Sequence, residues 1–135
     1  MMEKELSLLL FLVLSLYNMN KADKQYTINL VHILQEFSII FCLENSGILN
    51  EDLIDLNDLE KSIKLNDKLF NNVLEDGDIT FNLKQVKKAY NQVIGYFQII
   101  KSHYNNVVAN KRQLELLFKF KQQLEEQIDM LEALL

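Results

Sequence analysis

The chain predicts an all-α fold, a bundle of five or six helices in one domain. Three observations carry that reading. Proline is absent and glycine occurs three times in 135 residues, so little interrupts a helix. Apolar residues recur at intervals of three and four along most of the length. The one β-prone stretch, Ile79-Thr80-Phe81, is too short to build a sheet alone. The length suits a single domain with a real core. The hydrophobic fraction of 49% and charged fraction of 24% are ordinary globular values.

The first predicted helix runs from about Glu3 to Asn18 and is apolar on almost every side. That suits a central place in a bundle or an oligomer seam. Its apolar stretch, Leu6 to Tyr17, is shorter than the roughly 20 residues that span a bilayer. The start Met1-Met2-Glu3-Lys4-Glu5 has no net positive charge, and Tyr17-Asn18-Met19-Asn20 lacks a small-residue cleavage site. A buried core helix is therefore expected, with no membrane role. After a polar connector to Gln25, Leu30, Ile33, Leu34, Phe37, Ile40 and Phe41 give one buried face to a helix over Thr27–Glu44, ended at Ser46-Gly47.

The next stretch is less regular. Asn50, Asn57 and Asn66 each precede an acid, as helix caps do. Asn57 with Glu60 fits a capping box. Two short helices, Glu51–Lys64 and Asp67–Leu74, are expected, followed by a turn over Glu75–Asp78.

Two long amphipathic helices close the chain over 82–135. Val86, Tyr90, Val93, Phe97, Ile100, Tyr104 and Val107 alternate in steps of four and three, a coiled-coil-like seam. Asn82 with Gln85 offers a cap. A second seam, Leu114, Leu117, Lys121, Leu124, Ile128, Leu131 and Leu135, is out of phase with the first. The phase break and the pair Asn110 and Gln113 favour a hairpin turning near Asn105–Lys111. The competing reading is one helix of about 53 residues, roughly 80 Å long.

Charge divides along the chain. From Glu51 to Asp78 nine acids face three lysines, whereas Thr80 to Leu114 holds no acid. That second block carries Lys84, Lys87, Lys88, Lys101, Lys111 and Arg112, inside an overall charge of −5. Segregated charge is read by a partner or by the other half of the same fold.

Catalytic and metal chemistry find little support. Cys42 is the lone cysteine, which excludes an intrachain disulfide and fits a reduced, cytoplasmic setting. Neither a nucleophile elbow nor a phosphate-cradling glycine loop is present. The turn at Gly77 echoes half of a calcium-binding loop, but two positions that need oxygen ligands are Leu74 and Leu83. His32 and Glu36 share a helix face without the further ligands a metal needs. Tyr26-Thr27-Ile28-Asn29-Leu30 resembles Ile79-Thr80-Phe81-Asn82-Leu83, which fits two helix starts better than a duplication or a two-stranded bridge.

These exclusions leave a non-enzymatic interaction protein, without cofactor or metal. It would be an adaptor or complex subunit that docks its long C-terminal helices onto a protein partner or onto itself. The candidate contacts are Lys84, Lys87, Lys88, Asn91 and Gly95 on the acid-free face, with Leu117, Lys121, Leu124, Ile128 and Leu131 on the terminal seam. Gly95 invites close approach of another backbone, and Lys121 on a seam can set register. The alternative is a nucleic-acid-associated subunit that places Lys84, Lys87 and Lys88 on phosphates.

Overall fold

The computed structural model describes residues 19–41, 54–102 and 111–135, and every regular element among them is helical. Four helices follow in order: α1 Lys21–Ile40, α2 Leu56–Asp76, α3 Ile79–Ser102 and α4 Lys111–Ala133. The helix expected at Glu3–Asn18, the stop at Ser46-Gly47, Cys42 and the turn near Asn105–Lys111 lie outside the described residues.

The helices form two antiparallel pairs, α1 with α2 and α3 with α4, laid on each other. The pairing directions are set by named contacts. Asn20 donates to the Asp76 carbonyl and Asn29 to that of Ser62, so α1 and α2 run oppositely. Lys87 reaches Glu132 and Tyr90 reaches Glu125, so α3 and α4 do too. A single continuous helix over 82–135 would not allow that packing.

Several helix boundaries differ from the sequence expectation, for one physical reason. The caps are Asn20, Asp55 and Asp78, whereas most of the predicted cap asparagines work inside helices. Asn20 accepts from the Asp23 amide at 2.9 Å, which starts α1 six residues before Thr27. Asp55 caps α2 by accepting from Asn57 and Asp58, and α2 then runs unbroken through Asn66. The two short helices are thus one. Asp78 accepts from the Phe81 amide at 3.0 Å, so Ile79-Thr80-Phe81 opens α3 as helix. The two resembling pentapeptides lie at different helix positions, one inside α1 and one at the start of α3, and neither forms a bridge.

The joint between α2 and α3 is two residues, Gly77 and Asp78. Asp23, buried in the first turn of α1, closes it. Its carboxylate accepts from the Asp78 amide at 3.1 Å and from the Asn82 side chain at 2.7 Å. Gly77 is required here by space rather than by backbone angle. A Cβ would stand 2.5 Å from Asp23 Oδ1 and 2.7 Å from the Val73 carbonyl oxygen.

The inner faces are wider than a two-stranded seam. On α3 the buried residues are Asn82, Leu83, Val86, Ala89, Val93 and Tyr96, while Tyr90, Phe97 and Ile100 of the expected seam are half-buried. Each helix of a four-helix core meets several neighbours, so it needs a broader apolar arc than a coiled coil. The core has two zones. Toward the end away from Gly77, Phe37 stacks on Phe41 and on Phe120, and Phe41 tilts against Tyr96. Nearer the Gly77 joint the core includes a network of buried polar side chains among Phe70, Val73, Val86 and Leu131. Tyr26 donates to Gln127, Asn66 to Gln123 at 2.8 Å, Gln123 to the Ile63 carbonyl at 2.8 Å, and Gln127 to Asp67 at 3.2 Å.

Candidate interaction face

The terminal seam turns inward. Leu117, Leu124 and Leu131 are fully buried in this chain's own core and are closed to a partner. Ile128 is half-buried against the same core. Lys121 is not an interior register residue. Its ammonium lies 3.0 Å from Glu125 and 5.7 Å from the centre of the Phe118 ring. The periodicity located an apolar stripe correctly but could not say what it packs against.

Tyr90, Glu125 and Lys121 form a connected polar cluster across the α3–α4 pair. Tyr90 donates to Glu125 at 3.1 Å. The Lys121 hydrogen bond, then that of Tyr90, holds the Glu125 carboxyl below the usual range. Glu125 in turn raises Lys121. Partial desolvation, then Glu125, pushes the Tyr90 phenol up. The cluster ties the two helices and leaves the rings beside it accessible.

The lysine face is more engaged than its sequence suggests. Lys87 bridges to Glu132 at 3.1 Å, and Arg112 pairs with Glu60 at 2.8 Å. Hydrogen bonding to Lys64, then the nearby Arg112, lowers the Glu60 carboxyl. Arg112 is thus the one member of the basic block that reads the acidic block within the described residues. Lys84 and Lys88 are exposed and make no ion pair among the described residues. Asn91 is exposed beside them. Among the described residues nothing lies within 4 Å of where a Gly95 Cβ would stand, apart from its own helix, so no other described backbone approaches it there.

Farther along the same pair lies an apolar groove of about 860 Å³. Phe97 of α3 with Leu114 and Phe118 of α4 supply its apolar lining, and Lys111, Glu115 and Lys119 are its charged residues. Phe118 is 49% exposed, large for an aromatic ring. In the sequence it stands off the main stripe, as the buried Leu116 and Phe120 also do, so spacing did not single it out.

His32 and Glu36 are 3.6 Å apart on the surface of α1, near Asp55 and Asp58. Among the described residues no three His, Cys, Asp or Glu side chains converge as metal ligands, and no helix is long and apolar enough to cross a membrane. Comparison with protein families, with curated proteins and with solved structures finds nothing that matches this chain.

Proposed function

We propose that this chain is a non-enzymatic adaptor or complex subunit that binds a protein partner, or a second copy, through the outer face of the α3–α4 pair. One observation carries the reading: the half-exposed Phe118 ring at a groove shared with Phe97 and Leu114. Aromatic anchors beside a concave apolar floor dominate binding energy at protein interfaces. The docking surface is therefore the outer side of the terminal helices, with the leucine seam spent on the fold. The lysines support the nucleic-acid alternative less well, because Lys87 and Arg112 are drawn to glutamates of the chain itself.

The test is Phe118→Asp in the full chain. The substitution is on the surface, so the circular-dichroism melt should stay within a few degrees of the parent. Partner capture, or dimer formation by light scattering, should fall at least tenfold, as loss of an anchor ring implies. A parent protein that is monomeric and captures the same proteins as the variant would sink the proposal.

A further inference from the structure

The outer face of α4 carries opposite charge at its two ends. At 3.6 residues per turn, Lys111, Phe118, Lys119, Glu126, Asp129 and Met130 fall within an arc of about 120°, and all six are exposed. The first half of this stripe sets Lys111 and Lys119 against one acid, Glu115. The second half holds Glu126 and Asp129, and no lysine or arginine follows Lys121 in the chain. Elsewhere on α4, Arg112, Lys121, Glu125 and Glu132 are each paired within the chain. Lys111 leans to Glu115 at 4.0 Å. Lys119, Glu126 and Asp129 make no ion pair among the described residues. The unpaired charges of the helix thus lie on one stripe, sorted by sign. Each half also carries one large exposed apolar side chain, Phe118 at 49% and Met130 at 47%.

We propose that the occupant of this face is a second copy of the chain, bound with the two α4 helices antiparallel. The proposal rests on the reading of the outer α3–α4 face as a docking surface and names what docks there. A parallel pair would set Lys119 against Lys119 and the acids against the acids. An antiparallel pair sets the basic half of each copy against the acidic half of the other, and one surface serves both copies, as a two-fold contact requires.

The spacing supplies a specific contact. Lys119 and Glu126 are seven residues apart, so they stand within about 20° of each other around the helix. A two-fold axis level with Gln122 and Gln123 therefore sets Lys119 of one copy level with Glu126 of the other, on the same side of the contact, and does so twice. Asp129 lies just under one turn beyond. Phe118 contributes apolar area to one half of each copy's surface and Met130 to the other.

The test is sedimentation of the full chain at low salt. The samples are the parent, Lys119→Glu, Glu126→Lys, the double variant, and an equimolar mixture of the two single variants. The parent should dimerise, and less so as salt rises. Each single variant sets like charges together at two places and should dissociate at least tenfold more readily. The double variant and the mixture restore opposite charges at both places and should recover the dimer. All the substituted sites are exposed, and far-ultraviolet spectra check each fold. Recovery on mixing separates a charge contact between copies from a loss of folding. A dimer that neither single variant weakens, or that the mixture does not restore, would overturn the proposal. A parent that stays monomeric would overturn it too; if Phe118→Asp then still abolished capture of a different protein, the docking face would stand with another occupant.

Discussion

Tyr26 and Phe37 lie on one face of α1, about three turns apart, and meet opposite surroundings. Phe37 stacks with Phe41 and Phe120 in a zone built from rings. Tyr26 touches Phe70 on one side and donates a hydrogen bond from its hydroxyl to Gln127 on the other, in a zone that carries the buried amides. Rings accept many arrangements of similar volume, whereas each amide accepts only partners at the right distance and angle. The ring zone thus contributes packing that tolerates rearrangement. The amide zone fixes which turn of α2 faces which turn of α4, since Asn66 meets Gln123 and Gln127 in one register.

If that division holds, Phe120→Ala should have the largest effect. The ring is fully buried, and its loss should cost about 3–5 kcal/mol by urea denaturation. A loss below about 1 kcal/mol would mean that the ring zone refills easily. Asn66→Leu comes next. It strips Gln123 Oε1 of its donor and takes one acceptor from Asn29, at a cost of about 2–3 kcal/mol. A neutral outcome would break the comparison, because the amide zone would then be indifferent to its own hydrogen bonds.

Tyr26→Phe sharpens the comparison through pH. At pH 7 the lost hydrogen bond should cost about 1 kcal/mol. Burial pushes the Tyr26 phenol well above its usual value, and the neighbouring Asp67 pushes the same way. The folded chain therefore keeps its proton while the unfolded chain releases it from about pH 10 upward. Stability from this group is complete below that point and declines as pH rises toward the raised folded value. Melts from pH 8 to 11 should show the variant losing less stability than the parent, so that the gap narrows. Parallel curves would place the phenol outside the buried network. The smallest effect is a gain: Gly95→Ala should stabilise by up to about 1 kcal/mol, since its Cβ meets nothing among the described residues. A loss in the presence of a bound partner alone would mark Gly95 as part of the docking face.

The helices were legible in the sequence because a buried face imposes a spacing of three and four. Their ends were less so. Asparagine is both a good cap and a good interhelical bridge, and sequence cannot tell the uses apart. Asn66 and Asn82 read as caps and are core residues, fully buried. The amide zone did leave a trace. Gln113, Leu116, Phe120, Gln123 and Gln127 alternate in steps of three and four, a second stripe beside the leucine seam. Polar members hid it, because a hydrophobic pattern does not count glutamine. The proposed interaction face was half legible. Leu117, Leu124 and Leu131 were read as contacts of a docking seam and are buried in the chain's own core, because spacing shows that a face is covered without showing by whom. Phe118, off that stripe, is the exposed ring on which the proposed docking face rests.

The Gly77 joint carries a consequence for salt. Asp23 is buried, and no lysine or arginine pairs with it among the described residues. It sits in the first turn of α1 and holds the amide of Asp78, the residue that opens α3. Two helices thus point their positive ends at one carboxylate, which is compensated by peptide dipoles in place of a cation. Dissolved ions screen exposed charges far more than buried ones. Rising ionic strength should therefore loosen Lys87–Glu132 and Arg112–Glu60 while leaving this joint closed. The buried joint is thus less sensitive to salt than the exposed ion pairs around it.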